Sequence, residues 1–364
     1  MHIRNVRLTI TEKCNLNCVY CYERHKSSKM MSWEVAKDIV DIELLKTDGI
    51  DQLNFEFFGG EPFLNFPLIQ RVSEYIWSKK NTINISLSAV TNGTAFTDMA
   101  KTWLLVHKKD FDLGFSIDGG KQTQDENRSN SFDLLDMDFL KIYPRASIKM
   151  TISPSSISRL ADDIKFLHSF NCPIGCNIDY DANWRIEDDI LEIFTKQLNE
   201  LIIFYLSNPQ FKPCSLLDMP IKTVLTSPIN YILKPCGAGT SVVAYSCDGI
   251  AYPCQGFMPL SHGKDNDFEK EKITFGEKIP LSFLENDCQK CSIVNSCPNC
   301  FASNYYFRGN IYKKSLALCP LIKLFYKASA YLIFQQLESG LISMSPEDEM
   351  RTLMGIRIIQ EQFM

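Results

Sequence analysis

Short runs of apolar, β-branched residues alternate with segments of helical apolar spacing along the first half of the chain. Each run is bounded by turn residues or charges, as β-strands commonly are. The predicted strands cover residues 6–10, 53–58, 83–90, 113–117, 148–152 and 175–179. Because alternating strands and helices are typical of parallel sheets, the pattern predicts an α/β fold, a partial (β/α)6 TIM-like barrel.

Two helical segments stand out by their sequence. Residues 32–45 begin with Ser32 as a candidate N-cap and carry Glu34 in the first turn. Residues 321–337 are the most apolar stretch, but Lys323 and Lys327 interrupt it. We therefore predict a packed C-terminal helix there and no membrane span.

The periodic pattern breaks near residues 207–220, where Ser, Asn, Pro and Cys predominate. We predict a barrel domain over residues 1–215, a cysteine-rich domain with a bridging region over 216–340, and a helical tail over 341–364. The cysteine-rich region offers little apolar surface to bury, so bound metal clusters are expected to supply much of its folding energy.

Composition narrows the class of protein. The 364 residues are 45% apolar and 22% charged, with a formal net charge of -5, values typical of a packed soluble protein. An acidic balance argues against a nucleic-acid partner. The first cysteine comes too early, at Cys14, to leave room for a signal segment, which predicts a cytoplasmic location.

Fourteen cysteines in a reducing compartment favour metal ligation over a disulfide framework. Three of them lie within residues 14–21 and eight within 236–319. The remaining three, Cys172, Cys176 and Cys214, match no motif, and we expect buried structural thiols at these positions.

The first cysteine motif is CxxxCxxC, formed by Cys14, Cys18 and Cys21 on a loop directly after the first predicted strand. Three thiolates can hold three irons of a cubane and leave the fourth iron open to a further ligand. The alternative is a closed zinc site, for which His25 would be the fourth ligand.

This motif, with the aromatic Tyr20 before its third cysteine, resembles that of the radical S-adenosylmethionine superfamily. The resemblance extends to Gly59, Gly60, Glu61 and Pro62 after the second strand, which match the family's GGEP segment. It implies that this segment binds the amino group of the cofactor's methionine moiety, a role suited to carbonyl and carboxylate acceptors.

Two further strand ends fit the same pattern. Asn92 follows the third predicted strand, and Ser116 and Asp118 lie at the end of the fourth, where barrel folds place their chemistry. By resemblance, Ser116 would contact the ribose or carboxylate of the cofactor and Arg128 would pair with that carboxylate. The alternative for Arg128 is a solvated surface position. Asp118 and Gln255 are substrate-side candidates.

The resemblance also implies a reaction. The reduced cluster would donate an electron to S-adenosylmethionine, whose cleavage gives methionine and a 5′-deoxyadenosyl radical that abstracts a hydrogen atom from the substrate. The cofactor carries this chemistry, while the protein excludes water and positions one C–H bond.

The later cysteines resemble those of the SPASM domain, a C-terminal module of peptide-modifying radical enzymes. The resemblance implies two auxiliary [4Fe-4S] clusters, three clusters in all, held by one set of Cys236, Cys247, Cys254 and Cys300 and by another of Cys288, Cys291, Cys297 and Cys319. Only two residues separate Cys297 from Cys300, where the family usually has three. Cys247 could instead be a buried thiol, which would leave an open iron, and two zinc-ribbon sites are the alternative to both clusters.

One position bears on the reaction. The sulfatase-maturating branch has an aspartate base after the cysteine that matches Cys254, whereas this chain has Gln255, and an amide cannot take a proton at neutral pH. The favoured interpretation is therefore a maturase that installs a thioether or carbon–carbon crosslink in a ribosomally made peptide. Formylglycine formation, a small-molecule substrate, a peptide epimerase and a multi-cluster electron-transfer protein remain alternatives.

The expected partners follow from that interpretation. They are a precursor peptide and an electron donor of the flavodoxin or ferredoxin type. Because the chain leaves no room before its first strand for the leader-binding segment of many such maturases, a separate leader-binding protein is expected as well.

Overall fold

The computed structural model describes residues 2–79, 83–184, 189–228, 230–234, 236–263 and 275–363. The strands in these ranges are β1 (Ile3–Thr11), β2 (Gln52–Gly59), β3 (Asn84–Thr91), β4 (Phe111–Ser116), β5 (Ala146–Ile152), β6 (Ile174–Ile178), β7 (Tyr231–Leu233), β8 (Val242–Tyr245), β9 (Ala251–Tyr252) and β10 (Lys278–Pro280). The helices are α1 (Trp33–Leu44), α2 (Phe66–Ser78), α3 (Asp98–Val106), α4 (Lys121–Asn127), α5 (Met137–Ile142), α6 (Leu160–His168), α7 (Leu191–Ser207), α8 (Pro259–His262), α9 (Asn286–Gln289), α10 (Phe301–Arg308), α11 (Cys319–Glu338) and α12 (Pro346–Phe363).

The main sheet has eight strands in the order β6-β5-β4-β3-β2-β1-β8-β9. Strands β1 to β5 pair in parallel with their sequence neighbours, and the six predicted strands all occur within this sheet. This arrangement confirms the predicted fold class. The sequence did not predict β8, which pairs in parallel with β1, or β9, which pairs antiparallel with β8.

The sheet has one apolar and one polar face because successive side chains of a strand point to opposite sides. On β1, Val6, Leu8 and Ile10 are fully buried, and they alternate with the part-buried Arg7 and the buried Thr9. Arg7 pairs in register with Glu56 of β2, so the polar positions of neighbouring strands share one face. That polar face is the inner face expected of an open barrel.

Helices cover the apolar face. Aromatic rings of α2 and α3 pack against β4, with Trp103 contacting Phe66 at 5.7 Å and Phe111 at 5.6 Å between ring centroids. Helix α1 begins as predicted, because the Ser32 side chain accepts a hydrogen bond from the Val35 amide (3.2 Å) and thereby caps the helix.

The chain divides into two compact units. The first comprises Met1–Lys149, Phe170–Cys172 and Gly237–Phe275, and the second comprises Met150–Ser169, Pro173–Cys236 and Gly276–Met364. The predicted domain boundaries at residues 215 and 340 stay a prediction.

The predicted C-terminal helix is α11, which belongs to the second unit. By length and apolar composition alone, Leu316–Glu338 could cross a membrane, but half of its most apolar window is buried inside the protein, and a core helix meets the same criterion. Tyr326 and Leu332 are fully buried, and α11 packs on α7 and α12. The helix therefore serves as the core of this unit.

Candidate active site

The loop with the first three cysteines follows β1 directly in the first unit. Cys14, Cys18 and Cys21 are all part-buried. Burial raises the pKa of the Cys14 and Cys21 thiols, and the charge of the Lys26 ammonium acts to lower both. Lys26 is held over the loop because its Nζ donates to the Leu16 carbonyl oxygen (3.2 Å). A cation in this position favours the thiolate form that binds iron.

Cys18 interacts electrostatically with both Cys14 and Cys21, so the three thiols lie close together. Among the described residues, no group of three or more Cys, His, Asp or Glu side chains could hold a single metal ion. In a cubane each thiolate binds a different iron, so ligation of a cluster does not require the thiols to meet at one ion. The ring of His25, the alternative zinc ligand, lies against Gly263.

The Gly-Gly-Glu-Pro segment is packed directly onto this loop. The Gly60 amide donates to the Thr11 carbonyl oxygen (3.0 Å), and the Glu61 amide donates to that of Lys13 (2.9 Å). Gly59 has a φ of +127°, and a Cβ there would lie 2.0 Å from the Thr11 oxygen. A Cβ on Gly60 would lie 2.4 Å from the Lys13 oxygen. Only glycine permits this close approach of the two backbones.

Glu61 is buried between the ends of β2 and β3, immediately before Pro62 begins a 3-10 turn. Its carboxyl group accepts hydrogen bonds from the Asn92 amide (2.7 Å), the Thr91 hydroxyl (2.8 Å) and the Phe63 amide (3.1 Å). Burial raises the pKa of Glu61 to about 7, against the effect of these hydrogen bonds. An oriented, desolvated carboxylate of this kind fits an ammonium ligand.

Asn92 connects the same strand end to the cysteine loop. Its Nδ2 donates to Oδ1 of Asn15 (2.9 Å), and Nδ2 of Asn15 donates to the Thr94 hydroxyl (2.8 Å). The predicted site residues of β2 and β3 are thus brought together with the motif after β1.

Beyond β4, Asp118 forms the centre of a buried network. Its carboxylate pairs with Arg128 (Nε–Oδ2 3.0 Å) and accepts from Nη2 of Arg128, from Nδ2 of Asn127 (3.2 Å) and from the Tyr20 hydroxyl. Arg128 is buried, not solvated, and its guanidinium lies 5.2 Å from the Tyr20 ring. Since Nη1 is also 3.9 Å from Sγ of Cys18, the network holds Tyr20 and Arg128 beside the cluster motif.

This network bears on two candidates. Both carboxylate oxygens of Asp118 accept hydrogen bonds, so it positions Tyr20 and Arg128, and its substrate-side role stays a prediction. Arg128 has an internal counter-ion, so its predicted pairing with the cofactor's carboxylate stays a prediction. Ser116 lies at the end of β4 and is part-exposed.

Gln255 lies on the polar face of the sheet. Its Oε1 accepts from Nη1 of Arg7 (2.6 Å), and Nε of Arg7 donates to Oε2 of Glu56 (2.5 Å). The side chain of Gln255 also hydrogen-bonds Tyr22, whose pKa is raised chiefly by burial. Gln255 is therefore held in one orientation, and the sequence motif gave no signal for its partners Arg7 and Glu56.

The second unit holds its own group of thiols. Cys288, Cys291, Cys297 and Cys319 share one electrostatic environment with Lys314, whose Nζ donates to Sγ of Cys297 (3.0 Å). Cys236 and Cys300 belong to the same unit and lie near Tyr180, whose pKa is raised by burial and by these thiols. The predicted ligand sets stay a prediction.

Cys247 and Cys254 belong to the first unit. Cys247 is 3% exposed, and its thiol donates to the Thr9 carbonyl oxygen (3.0 Å). Burial raises the pKa of this thiol to about 12. Cys254 is part-buried and precedes a 3-10 turn that begins at Gln255.

The three cysteines outside the motifs are separate from both groups in sequence. Cys176 and Cys214 are buried, as expected, and Cys172 is part-buried. The Cys214 amide donates to the Tyr205 hydroxyl (2.9 Å), which is hydrogen-bonded to Nε2 of His168 (2.8 Å).

Comparison with known protein families gives independent evidence about most of the first unit. The model of the radical SAM superfamily matches residues 8–150. These residues include the cysteine loop, the Gly-Gly-Glu-Pro segment and the Asp118–Arg128 network.

Two relatives extend the similarity over more of the chain. An uncharacterized protein of Methanocaldococcus jannaschii is 30% identical over 226 residues, which are 58% of this chain and 76% of that protein. The radical SAM cyclopropyl synthase TigE of Paramaledivibacter caminithermalis is 23% identical over 349 residues, 88% of this chain and 73% of the relative.

Solved structures show the same fold. Native anSMEcpe with bound AdoMet and the Cp18Cys peptide superposes with a TM-score of 0.69 at 20% identity, over 93% of this chain and 99% of that one. Streptococcus suis SuiB bound to the precursor peptide SuiA gives a TM-score of 0.58 at 13% identity, over 86% of this chain and 75% of that one.

Proposed function

This chain belongs to the radical SAM superfamily, and from that premise we propose that it is a maturase that installs a crosslink in a ribosomally made peptide. Membership of the family makes it an enzyme that uses S-adenosylmethionine and a [4Fe-4S] cluster. The peptide substrate, the crosslink and the auxiliary clusters are the proposed part.

One observation carries the proposal. The Gly-Gly-Glu-Pro backbone is hydrogen-bonded to the CxxxCxxC loop at Thr11 and Lys13, so a buried carboxylate and three thiols are fixed at adjacent strand ends. Cys14, Cys18 and Cys21 would hold the cluster, which would supply the electron for reductive cleavage of S-adenosylmethionine and thereby for hydrogen abstraction from the substrate.

We assign the following roles to residues of this chain. Cys14, Cys18 and Cys21 would hold the cluster, and Glu61 would accept a hydrogen bond from the cofactor's ammonium, with Asn92 orienting the carboxylate. Tyr20, fixed by Asp118, would line the cofactor site together with Ser116. The polar face around Arg7, Glu56 and Gln255 would receive the substrate.

A peptide substrate is supported by the relatives and by the cysteines. Peptides are bound in the solved structures of anSMEcpe and SuiB, which share the fold. The cysteine group of the second unit would hold an auxiliary cluster that accepts the electron left after bond formation. The precursor peptide, a flavodoxin- or ferredoxin-type donor, a separate leader-binding protein and a cytoplasmic location all belong to this proposal.

Reductive cleavage can be tested without the substrate. After anaerobic reconstitution with iron and sulfide, the chain is expected to release 5′-deoxyadenosine from S-adenosylmethionine when dithionite is added. Cys18→Ala should abolish this release, whereas Cys172→Ala, which removes a part-buried thiol outside the motifs, should retain it. An electron-transfer protein would give no 5′-deoxyadenosine in any variant and would refute the proposal.

Sulfatase maturation is the second candidate, because anSMEcpe shares the fold. Against it, the position of the expected base is taken by Gln255, whose Oε1 is held by Arg7. Mass spectrometry of a modified peptide separates the two reactions. A crosslinked product has lost hydrogen and does not react with a hydrazide, whereas formylglycine carries an aldehyde that does.

A further inference from the structure

Lys314 is hydrogen-bonded to the cysteine group of the second unit. Its Nζ lies 3.0 Å from Sγ of Cys297, and its charge interacts with Cys288 and Cys319 as well. The neighbouring Lys313, by contrast, is exposed. The charge of Lys323 also acts on Cys291 and Cys319, but Lys314 donates a hydrogen bond directly to a thiol.

The environment of this ammonium is unusual for a lysine. Within the part of the chain that the structure describes, no carboxylate forms an ion pair with Lys314. Removing a cation from water is unfavourable unless an anion compensates it. Among the described residues, the acidic groups that act most strongly on it are the thiols of Cys297, Cys288 and Cys319, and a thiol compensates a positive charge only as a thiolate, the form that binds iron.

A cation beside an iron–sulfur cluster acts on its reduction. The cluster gains one electron and becomes more negative, so a positive charge and an N–H···S hydrogen bond stabilise the reduced form more than the oxidised form. The effect is larger for a part-buried charge than for one in water, because screening is weaker.

We propose that Lys314 raises the reduction potential of an auxiliary cluster held by Cys288, Cys291, Cys297 and Cys319. This inference rests on the proposed auxiliary clusters. In the proposed reaction, one electron would pass from the substrate-derived radical to the cluster and from there to an oxidised flavodoxin- or ferredoxin-type protein. Lys314 would make that acceptance more favourable and is thus a positioning residue, not a catalytic one.

The test measures potentials, not turnover. The full-length protein and the variants Lys314→Met, Lys314→Arg and Lys313→Met are reconstituted, assayed for iron, and titrated with dithionite under EPR. In Lys314→Met the equilibrium constant for reduction of one cluster should fall at least about tenfold. This corresponds to a reduction potential that is about 59 mV lower. Lys314→Arg keeps the charge and Lys313→Met removes an exposed one, so both should titrate like the parent protein.

Three outcomes of this experiment bear on the proposed role of Lys314. Full iron with unchanged potentials in Lys314→Met overturns the role of Lys314 while leaving the cluster intact. Loss of that iron in Lys314→Met, but not in Lys314→Arg or Lys313→Met, would show that the charge holds the cluster and does not merely tune its potential, and it overturns the proposal as stated. Equal iron loss in Lys314→Met and Lys314→Arg overturns it.

A separate variant tests the premise. The double replacement Cys288→Ala with Cys291→Ala should remove about four irons per chain. If iron content does not fall, the auxiliary cluster and therefore the proposal are both wrong. That result is distinguishable from a failure at Lys314 alone, which leaves the iron loss of the double variant in place.

Discussion

Single residues in this protein take their roles from their partners as much as from their place in a motif. Cys247 belongs to the row of cysteines that resembles a ligand set, yet its thiol is buried and donates to a backbone oxygen of β1. Cys254, seven positions later, lies at the start of a turn and is part-buried. A thiol that donates a hydrogen bond is protonated, whereas a ligand must be a thiolate.

We therefore expect Cys247→Ala to retain the iron content of the parent protein, with a loss of about 1 kcal/mol in stability from the missing hydrogen bond. Cys254→Ala should lose iron. Iron and sulfide assays on the two reconstituted variants check this difference. A comparable iron loss in Cys247→Ala would assign that thiol to a cluster.

At the scale of elements, helix α1 is fastened to the sheet by one buried carboxylate. Glu43 is fully buried and pairs with Arg4 of β1 (Nε–Oε2 2.5 Å) and Lys46 (2.9 Å), and it accepts from the Tyr245 hydroxyl of β8 (2.6 Å). Burial acts to raise the pKa of Glu43, but these partners prevail and lower it. One side chain thus joins three elements that are distant in sequence.

The lowered pKa of Glu43 determines how the stability of the protein depends on pH. Because the pKa of Glu43 is lower in the folded state, its contribution to stability is complete above the unfolded pKa of about 4.3 and is lost as the pH falls through the folded pKa. Glu43→Gln should destabilise the protein by about 1–3 kcal/mol at pH 7, and by less under acidic conditions.

Thermal unfolding of the metal-free protein, followed by circular dichroism across this pH range, measures the difference. Asp38→Asn is the matched control, since Asp38 lies exposed on the same helix. Equal stability curves for the parent and Glu43→Gln at pH 7 would show that the Glu43 cluster does not fasten α1.

At the scale of the whole molecule, each compact unit carries its own group of cysteines. The CxxxCxxC loop and its Gly-Gly-Glu-Pro partner lie wholly in the first unit. Cys288, Cys291, Cys297 and Cys319 lie wholly in the second. These two groups therefore share no ligand.

The placement of these two cysteine groups in different units predicts how iron is distributed between them. Replacing Cys14, Cys18 and Cys21 together by alanine should abolish 5′-deoxyadenosine formation while about two thirds of the iron remains, as expected for two of three four-iron clusters. Iron assays with EPR of the reduced protein test this partition. Complete loss of iron from the triple variant would contradict it.

Local pattern by itself determined much of this protein. The six strands, the capped helix α1, the helix α11, the CxxxCxxC loop and the Gly-Gly-Glu-Pro segment could all be read from the sequence, because period, caps and motif spacing are properties of neighbouring residues. The same spacing placed Glu61 and Asn92 at one edge, since carboxyl ends of parallel strands lie together.

Tertiary structure decided the rest. The pairing of β8 with β1, the burial of Arg128 against Asp118, the Arg7–Gln255 bond and the inward Lys314 involve either distant segments or a choice between solvent and interior. A buried charge requires a counter-charge, and tertiary packing determines which residue supplies it. Short-range sequence patterns do not reveal this pairing. For this reason the sequence indicated which residues could take part in binding or catalysis. The fold determined which of them instead position the others.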